Sequence, residues 1–406
     1  MGLFIVTHVS PQFSGSRHPN QYRRVGSKPG FPGGGSAGGA VVGVILSLVS
    51  CYLLFTNEAH AVQTAASVRE GLAEVVSLDK PLSVDEVNNN RLVHLSAQLQ
   101  TSQPLHDPNY NVVVHAVKLR RQVEMYQWVE QQQSNDVVEN GETKTETTYS
   151  YNTEWKSELV NSRNFDKEIG HENPSAMAVE SATVVAPEVK VGPFTLSKGL
   201  VEQIDDFHVL SLKDLSALNV VTFLTVHDDY LYHTDNVSHP QVGDVRVRFS
   251  FAGLSSDTTF LGPAQTVSVV AKQRGGQLIP YKTRSGDALE ILYEEDLSAG
   301  EVFERELQYN SKKTWGLRLL GWFLMFLGIQ LAMRIIYTLV DWIPLLRELV
   351  SVGLTIFSLC ISSSLSLLII GFGWLFYRPL VAVALGALAM VPVFLARSRL
   401  PAKKHQ

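Results

Sequence analysis

Residues 315–396 form a nearly unbroken apolar block, and that block admits few structures. A helix apolar on every face is either buried in a large core or bathed in lipid. Turn-forming and polar breaks at Asp341-Trp342-Ile343-Pro344 and Tyr377-Arg378-Pro379 cut the block into three segments, 315–337, 350–372 and 380–396. Each is near the ~17–25 residues that cross a hydrocarbon core. A fourth segment, 38–55, stands far upstream and reads as a retained signal-anchor rather than a cleaved leader. The expected fold class is an α+β membrane protein. Four transmembrane helices carry a large β-rich luminal domain, residues 56–314, inserted between the first and second.

Charge supports that division. Of the chain's formal −5, residues 57–314 hold 37 acidic against 22 basic side chains, whereas the remainder holds 2 against 12. Basic flanks stay cytoplasmic. The N-terminal tail (1–37, with Arg17, Arg23, Arg24 and Lys28) and the C-terminal tail (397–406) are both basic. An even number of spans puts both on the cytosolic or nucleoplasmic side, with a cytosolic loop at 338–349, a luminal turn at 373–379 and the acidic domain in the lumen. Its negative charge argues against nucleic acid as a partner, since phosphate contact needs a basic face. The glycine-, proline- and serine-rich composition of residues 1–37 predicts disorder. Cys51 and Cys360 both fall in predicted spans, so the large domain has no disulfide of its own.

Within the domain, period-two alternation predicts strands at 91–99, through much of 112–130, and at 143–160, 245–251, 266–273 and 277–281. Asn140-Gly141 has the composition of a tight hairpin turn, flanked by Tyr126, Trp128, Tyr149, Tyr151 and Trp155 as cross-strand aromatics. Residues 207–218 are expected to form a short helix. Ser298 with Glu301 forms a capping box for a helix feeding the second span.

Chemistry is hard to find. There is no HExxH pair, and the glycine cluster at residues 33–39 precedes no β-α unit, so it makes neither a nucleophile elbow nor a dinucleotide turn. His171-Glu172 lacks a second histidine at helical spacing. No catalytic residue, cofactor or metal site is expected. What stands out is packing chemistry. Gly39, Gly43, Ser47 and Cys51 recur four apart as a small-residue stripe. Ser358, Ser362, Ser363, Ser364 and Ser366 crowd the third span, and Ser358, Ser362 and Ser364 are expected on a helix-packing face. Arg334 reads as a snorkelling charge. Lys403 and Lys404 sit where a dilysine retrieval signal for the endoplasmic reticulum would. Asn236-Val237-Ser238 is a possible N-glycosylation sequon.

Several longer runs carry a specific resemblance: Asp107-Pro108-Asn109-Tyr110, residues 116–121, 123–130, 149–155, 173–181, 337–342 and 373–380, and Pro401-Ala402-Lys403-Lys404. Over residues 55–404 the chain resembles the transmembrane protein 43 (LUMA) family; the glycine-rich tail departs from it. The resemblance implies a self-associating four-span protein of the endoplasmic reticulum and inner nuclear membrane, with emerin and lamins as partners. It implies a non-enzymatic scaffold in nuclear-envelope organisation, and it supplies no catalytic residues. The alternative from another class is a channel component or channel-regulating subunit, in which the serine band and Arg334 line or gate a path.

Overall fold

The computed structural model describes residues 21–27, 34–78, 83–139, 142–211, 224–234, 236–255, 261–340, 344–380 and 383. The chain divides into a β-rich unit and a helical unit.

The β-rich unit contains two large sheets. In the first, the strands run in the order Gln21–Ser27, Glu142–Lys156, Ala116–Glu139, Val245–Leu254, Tyr230–His233 and Thr225–His227. His208–Val209 adds to Val245–Leu254, and Ala182–Val185 to Ala116–Glu139; all these pairings are antiparallel. The hairpin expected about residues 140–141 is present in the ladder, since Glu139 pairs with Glu142. Residues 140 and 141 themselves lie outside the described residues. Tyr126 and Trp155 are direct cross-strand partners with ring centroids 5.2 Å apart.

In the second sheet, Leu92–Thr101 pairs with both Thr266–Arg274 and Val189–Val191. Val189–Val191 pairs with Phe194–Leu196, that strand with Gln277–Ile279, and Gln277–Ile279 back with Thr266–Arg274. These five pairings close a ring. Period-two alternation explains the packing: Val245, Val247, Phe249 and Phe251 are buried while Arg246 and Arg248 are not. Side chains from both sheets, among them Leu119, Val123, Phe249, Leu95, Phe194 and Val269, share one core. Gly253 has φ +68°, and a Cβ there would meet Ile204 at 2.9 Å, so both backbone and space demand glycine.

Two expectations change in the β-rich unit. Residues 208–209, predicted helical, form a strand, because the edge of Val245–Leu254 offers them a ladder; residues 212–220 lie outside the described residues. The tail, expected to be disordered, contributes Gln21–Ser27 as an edge strand on Glu142–Lys156.

The helical unit is built on α1 (Gly34–Glu74), α3 (Ala299–Val340) and α4 (Pro344–Tyr377), with the short hairpin of Tyr281–Lys282 and Ala288–Leu289. A five-residue helix, α2 (Lys198–Glu202), belongs to the β-rich unit. Residues 56–74 and 299–314, assigned by sequence to the β-rich domain, continue α1 and α3 as single helices. Ser298 and Glu301 form the expected capping box: Ser298 N and Oγ donate to Glu301 Oε2 at 2.8 and 2.7 Å. Three described helices are long and apolar enough to cross a membrane. The fourth predicted span lies, except for residues 380 and 383, outside the described residues.

Candidate functional site

The helical unit is organised along a seam between α1 and α3. Glycine and serine permit the close approach: a Cβ on Gly328 would lie 2.4 Å from Ser47 Oγ and 2.8 Å from Gly43 O. Further along, Ser50 Oγ donates to Gly321 O (2.6 Å), Asn57 Nδ2 to Thr314 O (3.2 Å) and Asn310 Nδ2 to Ala61 O (2.9 Å). The residue numbers in each of these pairs sum to one constant, as they must when two antiparallel helices keep register. Small residues bring the backbones together, and side-chain amides and hydroxyls then reach the neighbouring carbonyls.

α4 joins this seam through a buried charge. Glu58 is completely buried, and Arg318 grips it in a two-pronged pair: Nε to Oε1 at 2.6 Å and Nη2 to Oε2 at 2.8 Å. Trp374 Nε1 donates to Oε2 at 2.8 Å. The guanidinium also lies against two indoles, 4.7 Å from the Trp315 centroid and 5.6 Å from that of Trp374. Gly373 allows the approach, since a Cβ there would sit 3.1 Å from Glu58 Cβ and Cγ. One turn away Phe55 packs on Phe372, Phe376 and Tyr377 at 5.7–6.5 Å. A lone buried carboxylate is prohibitively costly, and planar bidentate arginine is the partner that best offsets the loss of water.

The cluster stands where the apolar faces stop. Outward-facing apolar residues are dense up to Tyr52 on α1, from Trp315 on α3 and up to Tyr377 on α4, with only Leu72 and Tyr309 standing apart on the far side among the described residues. Tryptophan and tyrosine concentrate at such boundaries. The arrangement can fix three helices at one depth.

The predicted packing residues are only partly brought together. Gly43 is buried and Ser47 lies on the seam, donating to Gly43 O at 2.9 Å, whereas nothing within 4 Å faces a Cβ on Gly39. Ser358 and Ser362 are fully buried, and Ser366 continues their stripe one turn on. Ser364 is exposed. At 3.6 residues per turn it falls on the opposite face from Ser362; Ser366 occupies the position expected of it. Ser363 accepts from Trp322 Nε1 at 3.1 Å. Asn236 is exposed, with its Oδ1 taken by Ser238 N at 3.0 Å. The side chain of Arg334, and Lys403 and Lys404, lie outside the described residues. His171 is a core side chain stacked 4.0 Å from Tyr151. Sequence reasoning passed over Glu58 and Arg318. The available signal was Arg318 inside a predicted span, a charge that demands a partner.

A family model described as Transmembrane protein 43 matches residues 125–379. Mouse Transmembrane protein 43 is 57% identical over 369 residues, covering 91% of this chain and 92% of that protein. The chain belongs to the transmembrane protein 43 family. The human member is 54% identical over 383 residues (94% and 95% covered), and a Drosophila homolog 34% identical over 355 (85% and 90%). No solved structure matches. The stretch matched by the family model contains Arg318 and Trp374 and begins beyond Glu58. Two runs that carried the resemblance to the family also meet in space. Asp107 Oδ2 accepts from Arg121 Nη1 at 2.6 Å, while its Oδ1 accepts from the backbone N of Asn109 and Tyr110.

Proposed function

We propose that this chain is a non-enzymatic multi-pass scaffold of the endoplasmic reticulum and inner nuclear membrane. It self-associates and organises nuclear-envelope complexes that include emerin and lamins. The observation that carries the reading is the Glu58–Arg318–Trp374 cluster, which pins three apolar helices at one boundary, as a multi-pass membrane scaffold requires. Charge segregation supports a luminal position for that unit and cytosolic or nucleoplasmic positions for both tails. Lysines 403 and 404 then serve retrieval, and the exposed Asn236 is open to glycosylation. Lamins, on the nucleoplasmic side, are reached through the tails and the 338–349 loop or through a second membrane protein.

One pairing opposes this topology. A bilayer cannot separate two strands that share a ladder, so the pairing of Gln21–Ser27 with residues 144–150 and a crossing by α1 exclude one another. A glycosylation acceptor inserted beside Arg24 decides between them. It stays unmodified in microsomes if α1 crosses, and its modification overturns the topology. Proximity labelling from the N-terminus and from the luminal domain tests the partners: nuclear-envelope proteins should be labelled, and their absence from both sets removes the scaffold reading.

The second reading, a channel component, draws on Ser358 and Ser366, whose buried hydroxyls have no hydrogen-bond partner among the described residues. Purified protein in liposomes conducts, or alters a partner's conductance, under that reading alone.

A further inference from the structure

Beside the Glu58 cluster, within the helical unit, α1, α3 and the residue after α4 line a half-open cavity of about 230 Å³. Arg69, Arg318 and Arg378 line it, with Ser311, Thr314 and Trp315. Arg318 commits Nε and Nη2 to Glu58, which leaves Nη1 without a hydrogen-bond partner among the described residues. Arg69 and Arg378 have no carboxylate partner among the described residues, and Ser311 is exposed with its hydroxyl available. Thr314 has spent its proton on Asn310 O (2.7 Å) and can only accept. Since the cluster's one carboxylate is already neutralised by Arg318, the cavity keeps an excess of about two positive charges.

Its position selects the ligand. Trp315 lines it, and Leu319, Leu320 and Phe323 on α3 with Phe372 and Phe376 on α4 face outward on the apolar side. An occupant with an anionic oxygen cluster at the boundary and hydrocarbon beneath it satisfies both surfaces. Arginine forks match the oxygens of a phosphate, and basic pockets between spans hold anionic headgroups, here on the side that the charge segregation makes luminal. We infer that this cavity binds the phosphate of an anionic phospholipid headgroup, with Arg69 and Arg378 supplying the charge and Arg318 and Ser311 the orientation. Free phosphate shares the chemistry and lacks the hydrocarbon. The inference rests on α1, α3 and α4 crossing the bilayer.

The test uses the full chain in nanodiscs containing either phosphatidylcholine alone or phosphatidylcholine with phosphatidylserine. Bound lipid is counted by native mass spectrometry after release. The wild type should retain phosphatidylserine, and excess inorganic phosphate should not displace it. An Arg69→Gln, Arg378→Gln double variant should retain roughly tenfold less, with its melting temperature unchanged because Glu58 is untouched. A Lys312→Gln, Lys313→Gln double variant removes the same charge from exposed positions of α3 and should retain phosphatidylserine. Equal retention by the arginine variant, or equal loss in the lysine variant, overturns the site. Displacement by phosphate overturns the lipid as its ligand. The glycosylation acceptor beside Arg24 reports the α1 crossing separately, so failure of that reading is distinguishable from failure of this one.

Discussion

Among the described residues each unit has an arginine–carboxylate pair with both side chains about nine-tenths buried or more, and the two pairs hold different things. Glu58 and Arg318 are 260 residues apart in sequence, and their side chains are 0% and 11% exposed. Asp107 and Arg121 are 14 apart, at 4% and 10%. In the β-rich unit the aspartate divides its labour: one oxygen takes the guanidinium, and the other ties down the turn at Asn109 and Tyr110. Arg121 also donates from Nε to Glu180 O at 3.1 Å. That pair fixes a turn beside sheets that already share a core. In the helical unit the buried apolar side chains among the described residues, such as Leu54, Val68, Phe303 and Met325, are fewer and strung along the helices. The first two spans meet along small residues, and the charge joins the third helix to them beside the Phe55 aromatic contacts and the Trp322–Ser363 hydrogen bond. A buried ion pair is worth little against a well-packed apolar replacement, but losing one partner strands the other. The cost therefore scales with how little else holds the contact.

The largest effect follows directly. Glu58→Ala should destabilise the full chain in detergent by roughly 3–5 kcal/mol, because Arg318 and the Trp374 N–H lose their acceptor together. Arg318→Met should be comparably damaging, and the double variant should recover part of the loss. Thermal melts of the four proteins measure the coupling. Additive losses would mean that the pair does not hold the helices.

Next, Gly328→Ala drives a methyl into Ser47 Oγ and the Gly43 backbone and should cost about 1–3 kcal/mol as overpacking. Gly39→Ala, with nothing facing its Cβ, is the control and should be neutral. Ser364→Leu, expected on sequence to disturb packing, now belongs with Gly39→Ala for thermal stability, since Ser364 faces outward. A change in cross-linked oligomers without a change in melting would make that outer face a self-association surface. Asp107→Asn should be milder than Glu58→Ala, roughly 2 kcal/mol, since an amide oxygen can still accept the turn N–H groups while the charge-assisted bond to Arg121 is lost. If Asp107→Asn proves the worse of the two, the contrast between the units fails.

The same contrast explains what was legible in sequence. Strands such as Val245–Leu254 alternate because one face meets the core, and the periodicity is written locally. The capping box at Ser298 is local as well. Small residues four apart announced the seam at Gly43 and Ser47. The serine cluster in α4 was visible, but which serines face inward depends on the rotation of a helix apolar all round, and Ser364 fell on the other side. Short strands such as Val189–Val191 and Phe194–Leu196 carry too few residues for a period. The Glu58–Arg318 pair joins positions whose proximity is a property of the folded bundle alone.

The smallest effect separates the units by pH. Burial lowers the pKa of His94, whose Nε2 lies 2.9 Å from Leu297 O, and that of His233, whose Nε2 lies 2.9 Å from the Tyr110 hydroxyl. Burial pushes the Tyr110 phenol up to about 12, so it stays protonated and bonds a neutral His233, with the donor set by the imidazole tautomer. Both histidines therefore bind protons more readily unfolded than folded. Stability is fully present above the ordinary histidine value of 6.5. It falls as pH drops through that value toward the lowered folded one, where the unfolded chain takes up protons that the native one refuses. Melts of the full chain at about pH 7.5 and about pH 5.5 should show a lower transition in acid. A His94→Gln, His233→Gln variant should flatten that difference, while Glu58→Ala should lower both melts and leave the slope in place. A slope that survives loss of both histidines would take the acid sensitivity away from His94 and His233 and overturn this account of it.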